Sequence, residues 1–251
     1  MEQYATAQQV WVGGLVFLRV GALIMLIPGI GEGYVPVRIR LSLALILALC
    51  LAPIAGPSLP PIPSEVSVMV GYVIRETLIG LMIGGILRLF LASLTTAGEL
   101  VSLQTTLAFA QTTNPLEATP ATTISTFLSI LGVTLVFDTD LHRMFLSAIA
   151  HSYTLFPPIK ALPLGDAGTL ATQVVGKTFA LGVQLAAPVI VFSLVFNIAA
   201  GLIGRVMPQF QIFFAATPLT LLLGLSIFAL SVGSIGMVWV RSYSDFLRVF
   251  A

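Results

Sequence analysis

The sequence predicts an all-α, polytopic membrane protein of kinked helices and helical hairpins, on the strength of three observations. Hydrophobic residues make up 57% of the chain against 8% charged, with a mean hydropathy of +1.05, whereas soluble proteins devote roughly a quarter of their residues to charge. The eleven basic and ten acidic residues are too few to wet the surface of a 251-residue soluble fold. Apolar runs close to the ~20-residue length of a bilayer crossing recur along the whole chain, punctuated by clusters of Pro and Gly.

Taken in order, the runs are 10–30, 41–55, 66–94, 121–137, 141–156, 174–204 and 210–240, which predict six or seven crossings. Runs 41–55 and 141–156 are short for a crossing; 174–204 and 210–240 are long enough to tilt, kink or project beyond the hydrocarbon. The breaks have a clear chemistry. Pro28, Gly29, Gly31 and Gly33 end the first run, a stiff extended linker is expected from Pro53 to Pro63, and Pro157, Pro158, Pro163 and Gly165 end another. Gly182, Gly201, Gly204, Gly224, Gly233 and Gly236, with Pro188, Pro208 and Pro218, predict broken or curved late helices. The opening MEQYATAQQV lacks the basic region of a signal peptide, so the first run is expected to stay in the mature protein. A single integral membrane domain over residues 1–251 follows, with no separate soluble part. Arg38 and Arg40 point one way under the positive-inside rule and Arg241 and Arg248 the other, so the charges assign no orientation.

Charge inside the apolar runs is rare enough to read residue by residue. Arg19 sits mid-span, where an arginine costs about 3 kcal/mol, while the twelve Leu, Ile, Val and Phe residues of 10–30 return about 4 to 7 kcal/mol. The run therefore inserts, with Arg19 snorkelling or paired inside the bundle. In GYVIRETLIGLMIGGILRLF, residues 71–90, Glu76, Gly80, Gly84 and Arg88 follow one another at four-residue steps and share one helix face. Small residues flanked by buried charge dock another helix, either within the chain or on another subunit. Arg75 and Glu76 point about 100° apart and are expected to reach different neighbours.

Other chemistries find no support. A net charge of +1 with no basic stripe leaves nothing to bind nucleic acid. The lone Cys50 builds no disulfide framework. Asp138, Asp140 and His142 alternate in a way that cannot converge on one metal ion from a helix, so Asp140 is expected to cap a helix beginning at Leu141. His151 stands alone near a segment end, and no catalytic or phosphate-binding motif occurs. An enzyme is not expected, nor a cofactor.

The stretch GELVSLQTTLAFAQTTNPLEATPATT, from Gly98, breaks the pattern by being polar and almost uncharged. Non-helical backbone at membrane depth survives only where protein or water satisfies it, and Thr, Gln, Ser and Asn do so without adding charge. A loop or re-entrant element at about 98–120 is predicted, inside an assembly and facing an aqueous path, with a plain solvent loop as the other reading. Phe109 among small residues suits an apolar constriction that closes by dewetting.

The ordered stretches FLRVGALIMLIPGIGEGYVPVRIRLSLALILAL (17–49), ETLIGLMIGG (76–85), GELVSLQTTLAFAQTTNP (98–115), HRMFLSAIAHSYTLFP (142–157) and RVMPQFQIFFAATPLTLLLGL (205–225) resemble the FliR family, the R-type subunit of the flagellar type III export gate, which has relatives in virulence secretion. The C-terminal stretch favours the flagellar branch. The resemblance implies one such subunit joined to several copies of FliP and FliQ in a helical, closed-ended channel of the bacterial inner membrane. Within the flagellar basal body this channel is associated with FlhB and FlhA, and it passes unfolded flagellar proteins. It further implies that the loop at 107–115 plugs the pore at rest. The corresponding pore-loop residues are Gln104, Leu107, Phe109, Gln111, Thr112, Asn114 and Pro115, and the packing or intersubunit residues are Arg19, Arg75, Glu76, Gly80, Gly84, Arg88 and Glu99. The chain departs from the family pattern at Thr106, where glycine is common, and at Asn114, where aspartate usually precedes the proline. A small-solute secondary transporter also uses broken helices and midplane charge, but it predicts two matched halves, and no internal repeat is evident.

Overall fold

A computed structural model describes residues 2–108, 122–158, 164–207 and 212–248. Among them are seven α-helices: α1 (Glu2–Ile24), α2 (Val37–Ala55), α3 (Val66–Gln104), α4 (Thr123–Asp138), α5 (Leu141–Leu155), α6 (Leu164–Val206) and α7 (Ile212–Leu247). The protein is all-α and polytopic. Five helices are long and apolar enough to cross a membrane, or up to six crossings if α4 and α5 together make one, against the six or seven expected. The shortfall lies in α4 and α5, whose 16 and 15 residues are each too short for a crossing, and α5 carries His142, Arg143, Ser147 and His151 among the apolar ones. At 1.5 Å per residue, α3 and α6 run roughly 58 and 64 Å, about twice the ~30 Å hydrocarbon thickness.

The chain divides into two compact units, 1–90 with 140–174 and 244–251, and 91–139 with 175–243. The division falls inside α3, α6 and α7.

In the first unit, α1 supplies a buried face of Leu15, Val16, Val20 and Leu23, and α3 supplies Ile79, Ile83 and Leu87. Ile86, Ala148 and Val174 extend this core, with Phe246 stacked on Phe90 at a ring separation of 4.9 Å. Against α1, α2 offers only small residues, burying Ala44 and Ala48 while Leu45, Ile46 and Leu49 face outward. Only 17% of the α2 span is buried, against 56% for α3, so α3 is a scaffold helix and α2 a lipid-facing or partner-facing one. The linker is less extended than its prolines suggest: Pro53 lies within the last turn of α2, Gly56–Ser58 form a 3-10 turn, and irregular extended backbone begins at Leu59. A proline near a helix end gives up one hydrogen bond and no more.

In the second unit the core is Leu94 and Val101 of α3, Leu128 and Val136 of α4, and Ile235, Trp239 and Tyr243 of α7. Trp239 donates to Ser93 Oγ at 3.1 Å, so its one polar group is satisfied where it is fully buried. α6 and α7 pass through Pro188 and Pro218 without interruption, so of the broken or curved helices expected, a break at these two prolines does not occur. Pro208 lies outside the described residues.

Candidate functional site

Two polar constellations stand out in this apolar chain, one in each unit. The first is built on Arg19, which is fully buried. Its Nε donates to Glu76 Oε2 at 2.6 Å and its Nη2 to Oε1 at 2.9 Å, a two-pronged pairing of planar fork with planar carboxylate. Nη1 donates to the Ser152 carbonyl at 2.9 Å and to Ser152 Oγ at 3.2 Å, and Nη2 also donates to the Phe156 carbonyl at 3.0 Å. Every N–H of the guanidinium is thereby used. The Tyr153 ring completes the enclosure, its centroid 4.1 Å from the guanidinium carbon.

Sequence explains why the acceptors are there. α5 ends without a glycine or a basic residue in its last turn, so its terminal carbonyls need outside donors. The Ser152 carbonyl already accepts Phe156 N–H at 2.9 Å and gives its second lone pair to Arg19. Beyond the helix end, the Phe156 carbonyl takes Arg19 and the Pro157 carbonyl takes Arg75 Nη2 at 2.9 Å. Adjacent Arg75 and Glu76 do reach different neighbours, and Arg19 is paired inside the bundle rather than snorkelling.

The glycines of the same α3 face bring α1 close enough for this. A side chain at Gly80 would strike the Arg19 carbonyl oxygen, and one at Gly84 would lie 2.9 Å from Leu26 Cβ. The structure thus sets Gly80 and Gly84 against α1 of the same chain. Arg88 stands apart at the surface, 4.0 Å from Glu32, and Glu99 is exposed on α3. At the start of α5, Asp140 occupies the cap position in a left-handed conformation (φ 58°), but its carboxylate makes no capping bond and pairs with Arg143 at 3.2 Å instead. Positive φ turns its side chain away from the first-turn amides, which is where the expected cap fails.

The second constellation is neutral and surrounds the exit of α3. The helix does not stop at Gly98 but continues to Gln104, so 98–104 is not loop. Its hydroxyls bond back to their own helix, as Thr96 does to the Ala92 carbonyl and Thr105 to Val101, both at 2.9 Å, which makes a polar run compatible with helix. Gly98 lies directly against the Ser125 backbone of α4. Ser102 Oγ donates to Thr122 Oγ1 at 2.9 Å, and the Thr122 hydroxyl oxygen in turn accepts from Ser125 N at 3.3 Å as the α4 cap. On the other side, Ser193 Oγ of α6 donates to Gln104 Oε1 at 2.8 Å and accepts from Asn197 Nδ2 at 3.3 Å. The buried Thr105 methyl packs on Gly224 of α7, leaving no room there for a Cβ.

Thr106 then turns the chain with φ 63°, and Leu107 beside it is half-buried. A β-branched residue is disfavoured in this left-handed region, which glycine enters freely. Sequence reasoning noted the departure at Thr106 but missed Ser102, Thr122 and Ser193 and read Gly224 only as a glycine that breaks or curves a helix; together they hold the residues on either side of 109–121. Phe109, Gln111, Thr112, Asn114 and Pro115 lie outside the described residues.

Residues 10–246 match the family described as Bacterial export proteins, family 1. The chain is similar to the flagellar biosynthetic protein FliR of Caulobacter vibrioides, with 58% identity over the full length of both. It is also similar to the proteins of that name from Pectobacterium carotovorum, at 35% over 83% of this chain and 79% of the relative, and from Escherichia coli K12, at 30% over 93% and 89%.

Proposed function

Because the chain belongs to the FliR family of bacterial export proteins, we propose that it is a subunit of the flagellar type III export gate in the inner membrane. With FliP-type and FliQ-type subunits it forms a channel for unfolded flagellar proteins, and it adjoins FlhA-type and FlhB-type proteins in the basal body. It performs no covalent chemistry. All of residues 1–251 serve as one gate-forming domain, and the segment after α3, with Phe109 as the constricting side chain, plugs the pore at rest.

What supports this reading is the neutral stem around Gln104 and Thr122. A segment that lines a water path needs ends held by directional bonds, because apolar packing alone leaves register undefined, and it needs them uncharged so as not to trap a passing chain. Gln104 to Ser193, Ser102 to Thr122 and Thr105 to Gly224 supply such ends. The test is single-channel conductance of the chain reconstituted with its FliP-type and FliQ-type partners. Phe109→Ala is expected to leak small ions through the closed gate; conductance equal to the unsubstituted complex overturns the plug. A purified chain that stays monomeric and carries a small solute unaided overturns the gate reading itself.

A further inference from the structure

In the second unit α6 and α7 share an exposed face that is apolar along most of its length and ends in charge. The two helices run antiparallel: Gly182 and Trp239 both lie at Ser93 of α3, while Ser193 lies at Gln104 and Gly224 at Thr105. Gln184, Leu185 and Pro188 of α6 form one wall of the groove between them, and Ser231, Ser234 and Ile235 of α7 the other. Lys177 precedes Gln184 by seven residues and Arg241 follows Ser234 by seven, a turn of only about 20° in each case. Each cation therefore shares a helix face with the polar residue, roughly 10 Å along, and antiparallel packing puts both cations at the same end.

We propose that this face seats a transmembrane helix of a partner subunit, which brings a carboxylate to Lys177 and Arg241 and a hydrogen-bonding side chain to Gln184 and Ser234. This seat rests on the gate reading, which supplies the partner. All four side chains are exposed, and none makes a hydrogen bond or ion pair with a described residue. Pro188 adds an acceptor, because it has no N–H for the Gln184 carbonyl four residues back. Gln184 and Ser234 fall in the middle third of the spans Gly168–Val206 and Ala216–Leu247, where lipid cannot satisfy them. An acyl chain laid along this end strands every one of these groups. Water suits them but not the rest of the face, which continues through Val191 and Val195 of α6 and Leu223 and Leu230 of α7, each 45 to 85% exposed. A helix meets both parts, its apolar length on the valines and leucines and its polar residues on the charged end. The group it brings to the cations is anionic, since the acidic residues nearby are engaged or turned away. Asp245 pairs with Arg248 at 3.6 Å, and Asp138 belongs to α4, which packs on α7 at Gly236, about 160° around the helix from Ser234.

Photo-cross-linking in the detergent-extracted export complex, assembled from the full chain with its FliP-type and FliQ-type partners, tests the seat. A benzophenone amino acid at Gln184 or at Ser234 is expected to join one partner subunit, on a helix with an Asp or Glu about two turns from the cross-link. Lys177→Glu with Arg241→Glu is expected to lower retention of that subunit about a hundredfold in native mass spectrometry, since like charges then face one another. Lys177→Arg with Arg241→Lys is expected to retain it. Gln184→Leu loses one neutral hydrogen bond, a fall of about threefold. The melting temperature of the isolated chain is expected to hold in every variant, and a large drop would make the face a structural one and overturn the seat. Cross-links to lipid alone or to an exported chain alone, or equal retention in all variants, also overturn the seat, while an intact complex leaves the gate reading standing. Failure of the unsubstituted chain to join any partner overturns both.

Discussion

The two units solve one problem by opposite means. Each must hold polar groups inside an apolar chain. The first does so with charge, closing Arg19 and Glu76 on one another and on the carbonyls at the end of α5. The second uses no ion pair at its stem, only hydroxyl and amide groups in short relays. Buried charge is unforgiving, because removing one partner strands the other, whereas neutral hydrogen bonds in membrane proteins average only about 0.6 kcal/mol and are easily exchanged. The charged node suits a part that stays fixed; the neutral stem suits the proposed plug, whose segment would have to let go.

That contrast can be broken at several points. The largest effect is expected for Glu76→Ala, which leaves Arg19 buried and unpaired at a cost of about 3 to 5 kcal/mol. Loss of the folded chain in a detergent thermal-stability assay checks it, and partial recovery in the Arg19→Ala, Glu76→Ala double substitution sharpens it by showing that the stranded charge is the cause. Next comes Gly84→Leu, which forces α3 away from Leu23 and Leu26 and is expected to cost about 1 to 3 kcal/mol in the same assay, with a cross-link between cysteines on α1 and α3 lost in parallel. Ser193→Ala removes one neutral bond and is expected to cost about 0.6 to 1.7 kcal/mol. Its signature is functional, a raised small-ion leak of the reconstituted complex with melting almost unchanged; a large loss of stability would erase the distinction between the units. Smallest is Thr106→Gly, where relief of about 1 to 2 kcal/mol of left-handed strain is offset by glycine's entropy of about 0.5 to 1 kcal/mol. The melting temperature is expected to rise slightly or stay level.

Much of the architecture was legible because each helix carries its own hydrophobic run. α2, α4 and α5 start and stop within a few residues of the runs 41–55, 121–137 and 141–156. Continuation of α3 past Gly98 was not legible, since Ser and Thr hydroxyls look like loop chemistry until their bonds to their own helix are seen. Pro188 and Pro218 left break and curve open, and long apolar helices carry such a proline without breaking. The node was half visible: a mid-span arginine demands a partner, but which one depends on residues 57 and 133 positions away. The spacing of Gly80 and Gly84 showed a docking face without showing that α1 occupies it. Thr106 drew notice only through the family resemblance, and its left-handed turn is visible only in the backbone.

The carbonyls that Arg19 and Arg75 hold belong to residues 152, 156 and 157, whereas both arginines lie in the first third of the chain. A ribosome releases the chain from its N-terminus, so the arginines emerge long before their acceptors. Arg19 and Glu76 therefore meet first, as a pair with guanidinium protons left over, and the charged node closes only when Pro157 has cleared the exit tunnel. Translation thus supplies a clock for insertion: until that moment α1 and α3 are joined by their apolar faces, one ion pair and their glycine contact, and a nascent chain cut short before Phe156 carries an incomplete charge cluster.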